Sequence, residues 1–151
     1  MLKIIRTNSE NEDFQELVRL LDKDLASRDG ADHSFYAQFN KIDAIKNVVV
    51  AYQDEFPVGC GAFKKYEDEA VEIKRMFVRP EHRGKGIAVS VLAALETWAS
   101  ESDFKFAVLE TGKKQPEAIR LYEKSGYEII PNYGQYEGIE NSVCMKKSLI
   151  R

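Results

Sequence analysis

Apolar positions along the chain switch between two periods, and the switches divide it into elements. Leu2, Ile4 and Ile5 predict a short strand over Leu2 to Arg6. Phe14, Leu17, Val18, Leu21 and Leu25 then recur at helical spacing, and Ser9 with Glu12 three residues on predicts a capping box opening that helix. Asp29-Gly30 is expected to end it, and His33 to Phe39 to form a second short helix. Asn47 to Gln53, with Val48-Val49-Val50, predicts a strand, Asp54-Glu55 a turn, and Phe56 to Lys65 the hairpin partner. Ala70 to Val78 sets Val71, Ile73, Arg75 and Phe77 against Glu72, Lys74 and Met76, which is a strand with two chemically different faces.

Arg79-Pro80 stops that strand, and after Gly84-Lys85-Gly86 an amphipathic helix is expected to run to about Ser100. Its inner side carries Ile87, Val91, Leu92, Leu95, Trp98 and Ala99. Phe104 to Glu110 is nearly continuous in apolar residues and predicts a strand buried on both faces. Gln115-Pro116 has proline where a helix starts, and Gly126 is placed to stop it. Tyr127 to Ile130 and Glu140 to Lys147 predict two closing strands, with Asn132-Tyr133-Gly134 opening the excursion between them. The order predicts α/β architecture: one mixed, mostly antiparallel central sheet flanked by about four helices, not a doubly wound nucleotide fold. Without repeats or linkers, residues 1–151 are expected to form a single domain.

Composition narrows the classes. No apolar run approaches the ~18 residues of a membrane helix, and Met1 to Arg6 is too short an apolar stretch for a signal peptide. Two cysteines, Cys60 and Cys144, make neither a disulfide framework nor a zinc site, so they are expected in the core. His33 and His82 have no metal-ligand company, and His82 is expected to face solvent. A cytoplasmic protein with no metal and no membrane partner is expected. The 22 Lys and Arg against 25 Asp and Glu leave a net charge of −3, which argues against nucleic acid as a partner. That total hides an inversion. Lys74, Arg75, Arg79, Arg83 and Lys85 face a single acid, Glu81, so this stretch carries +4.

The basic stretch is a strand-to-helix turn, Val78-Arg79-Pro80-Glu81-His82-Arg83-Gly84-Lys85-Gly86-Ile87-Ala88. Backbone N–H groups open the helix, its dipole adds positive charge, and glycines let a phosphate approach the chain. A Walker loop would need Ser or Thr where Gly86 stands, and a dinucleotide fingerprint would need glycine at Val89. Both nucleotide loops are excluded.

Arg83-Gly84-Lys85-Gly86-Ile87-Ala88 resembles the pyrophosphate signature of the GNAT acyl-CoA-dependent N-acyltransferases. Glu72 to Val78 is similar to that family's fourth strand, and Ala118, Tyr122 and Gly126-Tyr127 to the pattern of its fourth helix. The resemblance covers Lys3 to Leu149. It implies a sheet whose fourth and fifth strands splay around acetyl-CoA, with backbone groups of Met76, Phe77 and Val78 on the pantetheine arm. Amides of Arg83, Gly84, Lys85, Gly86, Ile87 and Ala88 would hold the pyrophosphate. Gln115 stands where the family often has Asn.

The implied reaction is acyl transfer from a thioester to an amine. An ammonium has no lone pair, so it must first lose a proton. Glu72 matches a strand position that carries a base in some members. Glu110 is the second candidate, or could bind the acceptor's ammonium, and either residue could instead be a surface carboxylate. Tyr122 matches the family's acid, whose hydroxyl protonates the departing thiolate; as structure alone it would be a core-edge tyrosine. His33, Tyr36, Tyr133, Tyr136 and Asn141, with Asp32, Phe35 and Asn40, lie in segments that border the acceptor pocket in that family. The expected acceptor is the amine of a small, amino-acid-like molecule. A peptide or protein lysine, or a protein N-terminus, stays open, as does an acyl-CoA sensor or scaffold without turnover. Dimers are common in the family, so a homodimer is open as well.

Overall fold

The computed structural model describes residues 1–29 and 44–150. Among these, the strand patterns become β1 (Leu2–Thr7), β2 (Asn47–Gln53), β3 (Phe56–Glu67), β4 (Ala70–Val78), β5 (Phe106–Gly112), β6 (Glu128–Ile130) and β7 (Ser142–Ser148). They form one sheet of order β1-β2-β3-β4-β5-β7-β6. The helical patterns become α1 (Glu12–Asp29), α2 (Ile87–Glu101) and α3 (Pro116–Lys124). The second short helix expected over His33 to Phe39 lies outside the described residues.

Asp54 and Glu55 both take positive φ, 50° and 72°, as a tight two-residue hairpin turn requires, and they join β2 to β3 antiparallel. The start of α1 differs from expectation. Asn11, not Ser9, caps it: its Oδ1 accepts the Phe14 N–H at 2.9 Å. The Ser9 hydroxyl accepts the Ile45 N–H at 3.0 Å instead, tying the approach to α1 to the chain ahead of β2. A tertiary partner outcompeted the local cap.

Phe104 also leaves its expected element. It sits in the turn after α2, where its N–H bonds Ala99 O and its ring packs at 6.5 Å from Phe63. The ladder of β5 begins two residues later, because an apolar side chain reports burial and not strand pairing. At the far end, Tyr127 is buried just before β6 begins.

Two cores flank the sheet. On one face Phe14, Leu17, Val18 and Leu21 of α1 pack with Val48, Val50, Cys60, Ala62 and Phe77. On the other, Ile87, Val91, Leu92 and Leu95 of α2 and Tyr122 of α3 pack with Val49, Val71, Ile73, Leu109 and Met145. The strict alternation read into β4 fails at this point, since Phe77 joins the opposite face from Val71 and Ile73. The reason is a bulge: Cys60 pairs with Phe77 but Ala62 with Lys74, so β4 spends one extra residue there. Arg75 sits in that bulge with φ +60°. Gly61 opposite it has no room for a side chain, because a Cβ would stand 2.7 Å from Met76 Sδ and 2.8 Å from Leu95 Cδ1.

The feature that positions the site follows from these pairings. β4 and β5 run parallel and pair only over Ala70–Phe106, Val71–Ala107 and Glu72–Val108. Beyond Glu72, β4 bulges away while β5 stays paired with β7 as far as Gly112–Ser142. The sheet opens between its two middle strands, and the β4 backbone there has no ladder partner on β5.

Candidate active site

The opening is lined from both sides of the sheet. A cavity of about 240 Å³ is bounded by Met76, Phe77, Val78, Arg83, Ala88, Gln115 and Tyr122, together with Leu21 and Asp24 of α1 and Ala118 and Leu121 of α3. Seven of the residues expected around the cofactor thus share one cavity. Strands normally satisfy their backbone groups in the ladder, so the parted edge of β4 is suited to a ligand carrying amides of its own.

The turn beyond β4 is a site made of backbone. Pro80–His82 form one 3-10 turn, and Gly86 is the N-cap residue of α2, with no side-chain cap on the helix. Gly84 and Gly86 both have φ +81°, a conformation strained for any other residue, and nothing lies within 4 Å of a Cβ placed on either. The amides of the first turn of α2 therefore face open space at the positive end of the helix dipole, a cradle shaped for a phosphate group. Ile87 contributes backbone there while its side chain is buried in the core. Lys85 is exposed on the turn. Arg83 is folded back: its Nε donates to Val78 O at 2.8 Å, its guanidinium stands 5.5 Å from the Phe77 ring centre, and Asp24 is 3.8 Å away. His82 is half-buried against Phe56, with ring centres 6.2 Å apart, and does not face solvent as expected.

An adjoining cavity of about 120 Å³ shares Leu21, Met76, Gln115, Ala118 and Tyr122 with the first and adds Leu25, Glu72, Lys74, Arg75, Glu110, Thr111, Gly112 and Tyr136. Leu21 belongs to one core and Tyr122 to the other, so this opening passes through the sheet. Tyr122 stands where the two cavities meet. Burial, then the nearby Glu110 carboxylate, pushes its phenol well above the ordinary range, so the hydroxyl keeps its proton at neutral pH.

Glu72 is buried, not a surface carboxylate, and its two oxygens are engaged. Tyr133 donates its hydroxyl to Oε2 at 2.7 Å, and Lys74 Nζ lies 3.8 Å from Oε1. Tyr133 in turn packs edge-on to Tyr136 at 5.7 Å and against Tyr66 at 4.9 Å. The excursion between β6 and β7 is thereby pinned onto β4. Tyr133 and Tyr136 are also raised, by burial first and the carboxylates next, and stay protonated. Asn141 stands behind Gly112: its carbonyl accepts the Lys113 N–H at 2.8 Å, and its side-chain amide nitrogen lies 3.6 Å from where a Gly112 Cβ would be. His33 and Tyr36, with Asp32, Phe35 and Asn40, lie outside the described residues. Cys60 and Cys144 are buried, as core thiols.

Sequence reading did not assign to the site Leu21, Asp24 and Leu25 of α1, Ile73, Lys74 and Arg75 of β4, Thr111 and Gly112 of β5, or Glu117, Ala118 and Leu121 of α3. The leucines carried only a helical period. For Arg75 there was a signal, a cation standing where the alternation of β4 asks for an apolar residue.

Comparison with known proteins agrees with this geometry. The family model of the acetyltransferase (GNAT) family matches residues 11–127. An IAA acetyltransferase of Azospirillum brasilense is 36% identical over 102 residues, 67% of either chain. An uncharacterized N-acetyltransferase of Bacillus subtilis is 33% identical over 102 residues, 66% of this chain and 67% of that one. Among solved structures, a Klebsiella pneumoniae protein assigned as an acyl-CoA N-acyltransferase superposes with a TM-score of 0.83 at 28% identity, over 99% of both chains. The PaiA N-acetyltransferase of Thermoplasma acidophilum, solved with coenzyme A, shares the fold at a TM-score of 0.73 and 16% identity over 98% of this chain and 99% of its own. No described helix is long and apolar enough to cross a membrane. The fold, the parted middle strands and the family model over residues 11–127 agree: this chain belongs to the GNAT family of acetyltransferases.

Proposed function

We propose that the whole chain works as one catalytic unit that moves an acetyl group from acetyl-CoA to the primary amine of a small molecule. The observation that carries this is Tyr122, a protonated phenol placed where the cavity behind the glycine turn meets the cavity holding Glu72 and Glu110. The open backbone over Gly84 and Gly86 fits a pyrophosphate, and the parted edge of β4 fits a pantetheine arm. Acetyl-CoA, when bound, supplies an acyl group activated as a thioester.

Each residue then has a task. Amides from Arg83 to Ala88 hold the pyrophosphate, and backbone groups of Met76, Phe77 and Val78 orient the arm and polarise the thioester carbonyl. Glu110 takes the proton from the acceptor's ammonium, directly or through water. Glu72, whose oxygens meet the Tyr133 hydroxyl and Lys74, is the other candidate base. As the N–C bond forms and the C–S bond breaks, the Tyr122 hydroxyl gives its proton to sulfur. Tyr122 regains that proton from the amine nitrogen through water, and the other proton leaves through Glu110. The net charge of −3 argues against a nucleic-acid-linked acceptor.

Thiol release measured over a panel of amines tests the reading, and at least one amine should raise it clearly above hydrolysis of acetyl-CoA alone. Tyr122→Phe should lower kcat roughly 100-fold or more while acetyl-CoA affinity stays near wild type, the range expected for a general acid. A binding domain without turnover would show no amine-dependent release, and Tyr122→Phe would change nothing measurable.

A further inference from the structure

The smaller cavity has two unlike walls. Its acidic and basic side chains come from β4 and β5, with Gln115 ahead of α3. Among the described residues of α1, only Leu21 and Leu25 reach it. Both leucines turn inward and pack against the core between α1 and the sheet, so side chains, not helix backbone, close this wall. The α1 wall is therefore apolar and the strand wall polar.

The spacing of the leucines gives the apolar wall a direction. Leu21 borders both cavities, whereas Leu25 borders the smaller one alone. Four residues apart on a helix, they share a face, with Leu25 about 6 Å further along the axis. A track of apolar surface thus starts at the junction of the cavities, where Tyr122 also stands, and continues one helix turn beyond it. A pantetheine arm entering through the larger cavity brings its sulfur to Tyr122, so the acyl group it carries points past the junction. Methyl groups laid on the strand wall would take water from the charges there, at a cost. On the α1 wall the same groups bury apolar surface at a gain. An acetyl group is too short to span the turn from Leu21 to Leu25, and a butyryl chain adds two methylenes in that direction.

We propose that Leu21 and Leu25 form an acyl-chain subsite, and that the protein accepts donors longer than acetyl-CoA, propionyl-CoA and butyryl-CoA among them. This rests on the transfer reaction proposed above and widens its donor. The balance of the step is unchanged. The amine nitrogen bonds the acyl carbon as the C–S bond breaks, and sulfur takes the Tyr122 proton. The two protons lost by the ammonium leave through Glu110 and to Tyr122, and the N-acyl amine and CoA are the products.

Calorimetric titration of wild-type protein with acetyl-, propionyl- and butyryl-CoA reads the subsite without any amine. Affinity should rise with chain length, by up to roughly 4-fold for each methylene buried. Leu25→Asn, similar in volume but polar, should cost butyryl-CoA roughly 10-fold more affinity than it costs acetyl-CoA, the worth of two buried methylenes. Leu25→Ala removes the contact without adding a polar group and serves as the second variant should Leu25→Asn fail to fold. With an amine that accepts acetyl, propionyl-CoA and butyryl-CoA should release thiol as well. Butyryl-CoA bound no more tightly than acetyl-CoA would overturn the proposal. So would a Leu25 variant that weakens every donor alike, or amine-dependent release from acetyl-CoA alone. Each of these leaves acetyl transfer standing. Chain-length-dependent binding with no amine-dependent release from any donor keeps the subsite and removes the chemistry instead.

Discussion

The two halves of the cleft are built from different materials. At the turn before α2 the binding surface is backbone: two glycines at φ +81°, open space above them, and helix amides with no side-chain cap. Across the cleft the surface is side chain. Glu72, Lys74 and Arg75 come from β4, Glu110 from β5, and Tyr136 from the excursion ahead of β7, with Tyr133 of the same excursion holding Glu72. A backbone site is encoded by a short contiguous run of residues and serves a ligand whose shape does not vary. A side-chain site is assembled from distant segments, so each position can change separately and tune which acceptor is taken.

The sharpest way to break the backbone half is Gly86→Glu. It sets a carboxylate against the pyrophosphate and strains a left-handed residue, so CoA affinity should fall by roughly 100-fold or more. Gly86→Asn, neutral and tolerant of that conformation, should keep most of the affinity. Calorimetric titration with CoA reads both, and unchanged binding by the glutamate variant would mean the turn is not the pyrophosphate site.

On the side-chain half, Tyr133→Phe leaves the buried Glu72 without its phenol donor and should cost about 1–3 kcal/mol of stability. CoA affinity should stay put, because no part of the cradle moves. Urea unfolding measures the loss. Combined with Glu72→Gln, the two changes should cost less than their sum, and strict additivity would show that the 2.7 Å contact carries no coupling.

The last test turns on pH. Burial raises the Cys60 thiol to about 12 and the Cys144 thiol to about 11, and holds the phenols of Tyr122, Tyr133 and Tyr136 above their usual range. The folded protein keeps protons that the unfolded chain begins to release near ~8.5 for a thiol. Stability is therefore complete below that pH and is lost as pH rises toward 11 and 12, by up to about 1.4 kcal/mol per unit for each group. The urea midpoint should be flat from pH 6 to 8 and decline from about 9. A flat profile to pH 10.5 would contradict the burial of these groups.

Much of the fold was legible because its signals are local. The periods of α1 and α2, the Asp54-Glu55 turn, Pro116 at the start of α3 and Gly126 with φ +98° at its end all report on a few adjacent residues. The failures share one cause. Ser9 was given a local cap but found Ile45, and Phe104 was given a strand but found the core beside Phe63. Phe77 was given the wrong face because an extra residue at Arg75 shifts the phase of β4.

By itself the sequence determined the glycine turn, the helix behind it and the positions of Tyr122 and Glu110, since each depends on spacing along one stretch of chain. Only the tertiary structure decided how far β4 and β5 stay paired, that Tyr133 and Lys74 engage Glu72, and that Lys74 and Arg75 line the cleft. Those outcomes turn on contacts between segments tens of residues apart, on a bulge set by Gly61 lying tight under α2, and on a hydroxyl arriving from the far end of the chain to hold Glu72. Local spacing carries no information about such meetings, because burial and charge compensation are settled only when the segments pack.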